Sequence, residues 1–168
     1  MASRTLRIDE IDAAIDDELF AMLVGVEDTK ELRGVERFDD PTALAASVSF
    51  GVYALDPAPS GTAPLCMRQS ASSARITYLT GFQTMATGRL VQPFTVTSVR
   101  RKSTEPESPG ESWERAEDLG TFAWIWSFEK DDQLRSHVRI SFGDTDVELS
   151  GEFARAEALR LAKTPRRP

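Results

Sequence analysis

The chain has 168 residues, with 27 acidic against 20 basic side chains, a net charge of −7, one cysteine and one histidine. That length suits a single domain, 1–168, able to bury roughly 70% of its unfolded surface. One cysteine excludes an internal disulfide framework, one cysteine with one histidine excludes a zinc site within one subunit, and the acidity disfavours binding dominated by nucleic-acid phosphates. The charge is uneven. Residues 1–40 hold twelve acidic and five basic side chains, so the entire excess sits there and 41–168 is balanced.

No apolar run is long enough to span a bilayer and no leader pattern opens the chain. With its single thiol, this leads us to expect a cytoplasmic protein. Ile8, Ile11, Ile15, Leu19, Met22 and Leu23 recur at helical spacing, with Asp9, Glu10, Asp12, Asp16, Asp17 and Glu18 between them. The pattern predicts an acidic amphipathic helix ending near Gly25. Its charged side reads either as a solvated face or as a docking surface for a basic partner. A charged connection then runs to Asp40-Pro41, where Thr42 offers a cap for a short helix through Ala45.

Val48, Phe50, Val52 and Ala54 alternate with Ser47, Ser49, Gly51 and Tyr53, which predicts a strand. The Pro-rich stretch 56–64 predicts a loop. Further strands are expected over 75–82 and over 89–101, the latter at an edge or bulge because of Pro93. Residues 103–118, rich in Glu, Pro, Ser and Gly, read as an exposed loop from which Trp113 folds back.

The strongest pattern lies in 121–149. Phe122, Trp124, Trp126 and Phe128 alternate with Ala123, Ile125 and Ser127, and after a break at Lys130-Asp131-Asp132 the alternation resumes through Leu134, Ser136, Val138, Ile140 and Phe142. Gly143-Asp144 signals a two-residue hairpin. It sets Ile140 opposite Val147, Val138 opposite Leu149 and Arg139 opposite Glu148, and both faces agree with this one register. A three-residue loop at 130–132 would likewise set Trp124 opposite Val138 and Phe122 opposite Ile140. The aromatic face then reads as core, and the alternative is a ligand or partner platform. A helix over 152–163 follows Gly151, with Phe153, Ala156 and Leu159 or Leu161 inward, and 164–168 is a basic tail.

These elements describe an α+β protein: one antiparallel meander sheet of about five to six strands across 42–151, with an N-terminal and a C-terminal helix on its aromatic face. Chemistry is sparse. Cys66 and His137 are the only residues for a thiol–imidazole pair, and no signature surrounds them. Asp144, Asp146 and Glu148 share a strand face, but Arg139 is expected opposite Glu148 and would neutralise it. Phosphate-cradling Gly-rich loops and the G-x-S-x-G elbow are missing. We therefore expect no catalytic residues, no metal and no cofactor.

The leading reading is a non-enzymatic interaction or assembly module, able to bind another protein or its own copy. Trp124, Trp126, Arg139, Arg100 and Arg101 are its candidate binding residues. The alternative is a small-ligand binder or cofactor-free enzyme with a pocket in the sheet's concave face. There Arg75 or Arg139 would fix an anionic group beside Trp124, Trp126, Tyr78 and Phe94. Nucleic acid and membrane are not expected partners.

Overall fold

A computed structural model describes residues 35–80, 94–130 and 133–168. The predicted N-terminal helix lies outside the described residues. The strands are β1 (Glu36–Phe38), β2 (Ala54–Leu55), β3 (Thr62–Ser70), β4 (Ser73–Thr80), β5 (Phe94–Arg100), β6 (Glu114–Arg115), β7 (Ala123–Lys130), β8 (Gln133–Phe142), β9 (Thr145–Gly151) and β10 (Pro165–Arg166). The helices are α1 (Pro41–Ala46) and α2 (Arg155–Leu161). Eight strands form one antiparallel sheet in the order β1-β3-β4-β5-β9-β8-β7-β6, and β2 pairs with β10 apart from it.

This corrects the expected five to six strands flanked by two terminal helices. The sheet is wider, and the described helices are only six and seven residues long. The connection order is also not a simple meander, because β5 pairs with β9 and joins two hairpin runs at the centre.

Three local causes account for the differences. Thr62–Ser70 is a strand although Pro59 and Pro64 punctuate the region. Among the described residues β1 covers only Cys66 to Arg68 of its outer side, so Pro64 lies where no donor is required. The expected strand through Val48 and Phe50 does not form, because the chain turns at Ser47 and bends over 48–50; Phe50 to Leu55 are all buried and lie across the sheet. Finally, α1 is capped by Asp40, whose carboxylate accepts the Ala43 N–H at 2.8 Å, with Pro41 in the first turn.

The segment 50–55 shows how the sheet's inner face holds its cover. Alternate backbone N–H groups donate to hydroxyls rising from the sheet: Gly51 to Thr145 Oγ1 (3.2 Å), Tyr53 to Ser98 Oγ (3.0 Å) and Leu55 to Tyr78 Oη (2.6 Å). Each buried donor is thereby satisfied without a further strand. At the other end of the face, Ser136 Oγ donates to the Phe153 carbonyl at 2.9 Å, tying down the chain ahead of α2. Ile76, Tyr78, Val96, Ile125, Val138, Ile140, Val147 and Leu149 supply the apolar part of this face, against Leu44, Val52, Ala158 and Leu161.

Helix α2 begins at Arg155, not near Glu152, and buries Ala158 and Leu161, with Phe153 and Leu159 half-buried beside the core. The expected basic tail contributes β10, so Pro165 is buried against Leu55.

The β8–β9 register is the one read from Gly143-Asp144. Phe142 faces Thr145, Ile140 faces Val147, Val138 faces Leu149 and Arg139 faces Glu148, with Gly143 at φ 59°. The β7–β8 register differs by one residue. Lys130 pairs with Gln133, so Trp124 faces Arg139 and Ile125 faces Val138. A one-residue change exchanges the faces of a strand. Ala123 and Ile125 point into the core, and Trp124, Trp126 and Phe128 project from the opposite side, away from α2. The aromatic face is therefore not the one the helix covers.

Candidate interaction surface

The outer face of the sheet carries two rows that cross it from strand to strand. One runs Met67, Arg75, Thr97, Glu148, Arg139, Trp124 across β3, β4, β5, β9, β8 and β7. The other runs Thr77, Thr95, Ser150, His137, Trp126. Side chains that alternate away from the core on each strand thus assemble one polar, aromatic surface.

In the first row Arg139 and Glu148 form an ion pair, with the Arg139 Nε to Glu148 Oε1 distance at 2.7 Å. The Arg115 guanidinium lies 5.3 Å from the centre of the Trp124 ring, and Trp124 is 4% exposed. Arg75 Nε is buried without a hydrogen-bond partner. Burial pulls the Arg75 guanidinium below its ordinary range, and Glu148 offsets this in part.

In the second row the Thr95 and Ser150 hydroxyls share a 2.8 Å hydrogen bond, while the buried Thr77 Oγ1 has no partner. The His137 ring meets Trp126 edge-on at 5.4 Å and Trp113 at 6.4 Å. Trp113 therefore does fold back from the 103–118 loop. Burial, reinforced by Arg135, holds the His137 imidazole below its ordinary value, so it is neutral near pH 7.

The margin of this surface is the outer edge of β7. Strand β6 pairs only with Trp124 and Ile125, and among the described residues no strand continues beyond it. Ala116 N–H donates to the Ala123 carbonyl on the β6 side, and Ser141 N–H donates to the Phe122 carbonyl on the β8 side. Alternation then directs the N–H and C=O groups of Ser127 and Glu129 outward, where no strand among the described residues pairs with them. Beside this edge Phe128 is 41% exposed and Trp126 half-buried. Trp126 and Phe128 also wall a cleft of about 520 Å³ with Gln133, Leu134, Arg135 and Glu152. On the inner side of the edge, the Arg155 N–H donates to Glu129 Oε1 at 2.7 Å, and Arg155 pairs with Glu114 at 2.8 Å.

Of the sequence-predicted binding residues, Trp124, Trp126 and Arg139 come together on this face. Arg100 and Arg101 do not join them; they lie where β5 ends, beside the β8–β9 turn. Arg101 is occupied by Asp146 (3.3 Å) and by the Gly143 carbonyl, and Arg100 is exposed. Sequence reasoning missed the free edge at Ser127 and Glu129. Its only signal was the spacing of the 130–132 break, which also sets the register.

The thiol–imidazole pair is not brought together. Cys66 is fully buried on the core side, its thiol pushed up to about 12 by burial and then by Asp40, while His137 projects from the other face. Among the described residues no group of three or more metal-ligating side chains gathers, and no helix is long and apolar enough to cross a membrane. No family model, curated protein or solved structure matches the chain.

Proposed function

We propose that this chain is a non-enzymatic protein-interaction module that takes an extended protein segment along the outer edge of β7. The observation that carries the reading is the combination at Ser127 to Glu129 of outward backbone groups, met by no strand among the described residues, with the exposed ring of Phe128 and the half-buried ring of Trp126. Strand addition uses such an edge for affinity and the flanking side chains for selection. Aromatic rings with an adjacent guanidinium, here Arg135, are the side chains that most often anchor protein contacts.

The test is a comparison of two chains in a native lysate, the wild type and Ser127→Pro. The Ser127 N–H points outward, so proline there removes no bond of the sheet while blocking the edge. The reading expects a species retained by the wild type and released by the variant, with the melting temperature little changed. It is overturned if the wild type is monomeric and retains nothing, or if both chains retain the same proteins.

A second reading has its own observation. Arg75 Nε and Thr77 Oγ1, two residues apart on the same face of β4, are buried without partners. A buried guanidinium N–H without an acceptor is costly, and a small carboxylate or phosphate would relieve it. Titration of phosphate and small carboxylates against Trp fluorescence tests it. Saturable quenching that disappears in Arg75→Gln supports a ligand, and an unchanged signal across the series removes it.

A further inference from the structure

We infer that the segment received by the β7 edge is the same segment of a second copy, paired antiparallel about a two-fold axis through Phe128. This rests on the reading above and adds the partner and its register.

The alternation of β7 dictates the register. Ala123 and Ile125 spend their outward backbone groups on the β6 side, which leaves Ser127 and Glu129 as the β7 residues whose outward groups meet no strand among the described residues. In an antiparallel pair such residues must face one another as hydrogen-bonded pairs. Placing Ser127 opposite the second copy's Glu129, and the reverse, satisfies all four outward N–H and C=O groups on each side. It leaves Phe128 opposite the second copy's Phe128 as the intervening close pair. The contact is isologous, so it closes after two copies and does not propagate into a fibre.

The side chains agree with that register. On the outer face the order along the edge is Trp126, Phe128, Lys130. Reversal sets each Lys130 ammonium opposite the other copy's Trp126 ring, a cation–π arrangement, and stacks the two Phe128 rings between them. On the inner face it sets each Glu129 opposite Ser127, within the reach of Arg155, which contacts Ser127 Oγ at 3.4 Å. An open cleft of about 710 Å³ lined by Glu114, Ser127, Glu129, Ala154, Arg155 and Leu159 provides room there. No like charges meet at any position. A register shifted by two residues would place Trp126 against Phe128 and leave Lys130 beyond the pair, so the two-fold about Phe128 uses the edge best.

The area is small. A pairing of about five residues falls below the roughly 1,200–2,000 Å² typical of stable complexes, so the dimer is expected to be concentration-dependent.

Light scattering of the full chain from about 1 µM to about 1 mM reads this directly. The wild type should rise toward twice the monomer mass. Phe128 is exposed, so Phe128→Lys and Phe128→Glu leave the fold intact, yet each sets like charges against itself across the axis and should shift the midpoint upward by about tenfold or more. An equimolar mixture of the two variants should recover the dimer as a mixed pair. Dimers of wild-type strength from either variant alone would place the contact elsewhere. Failure of the mixture to recover would overturn the Phe128 axis. A wild type monomeric at every concentration overturns self-pairing alone, and the Ser127→Pro comparison then decides whether a different protein adds its strand.

Discussion

The two faces of the sheet treat their polar groups in opposite ways. On the inner face the hydroxyls of Tyr78, Ser98, Ser136 and Thr145 each clip a backbone group of the covering chain, and apolar side chains fill the space between. On the outer face Arg139 and Glu148 satisfy one another, but Arg75 Nε and Thr77 Oγ1 are left over, and aromatic rings lie open at one margin. The inner face is finished by the chain itself. The outer face keeps bonding capacity in reserve, and that is where recognition is expected.

The largest test of this contrast is within β7. Ile125 is fully buried on the inner face, so Ile125→Ala should cost about 2–5 kcal/mol in urea unfolding. Phe128→Ala, three residues away on the outer face, should stay within about 0.5 kcal/mol. Comparable losses from both would mean that the two faces are not distinct.

The next test separates used from unused hydroxyls. Ser98→Ala strands the buried Tyr53 N–H and should destabilise by about 1–3 kcal/mol. Thr77→Val removes a buried hydroxyl without a partner and should be neutral or stabilising by up to about 1 kcal/mol. Thermal melts of the two variants sharpen the comparison, because both positions are 1% exposed and only the bonding differs.

The smallest effect is in pH. The His137 imidazole is held below its unfolded value of 6.5, so its neutral form is favoured in the folded chain. Stability from this source is present above that value and is lost as pH falls through the lowered folded value. His137→Gln should flatten the pH dependence of the melting temperature in that window. A slope of the same size in the variant would assign it to other groups.

The contrast also explains how much was legible from residues alone. The β8–β9 hairpin could be read because a two-residue turn at Gly143 allows one register, and Arg139 with Glu148 and Ile140 with Val147 both agree with it. The β7–β8 hairpin was misread because the polar run 130–132 admits a two- or three-residue loop, and ring size suggested that the tryptophans belong inside. Ala123, Ile125 and Ser127 carry less bulk, but Ala123 and Ile125 are the ones packed in the core, and Ser127 meets Arg155 on that side. Trp124, Trp126 and Arg139 share a face only in the observed register; the expected one set Trp124 opposite Val138 and left Arg139 on the other side. What surrounds Arg75 and Thr77 depends on β4 and β5 meeting β9, a long-range pairing with no local signature.

Amide hydrogen exchange along β7 tests the central claim most directly. In a dilute sample Trp126 and Phe128, bonded to β8, should be protected, while Ser127 and Glu129 exchange freely; concentrating the sample should slow the latter two and leave the others unchanged. Protection of all four amides in the dilute monomer, or free exchange at Ser127 and Glu129 at every concentration, would contradict the account.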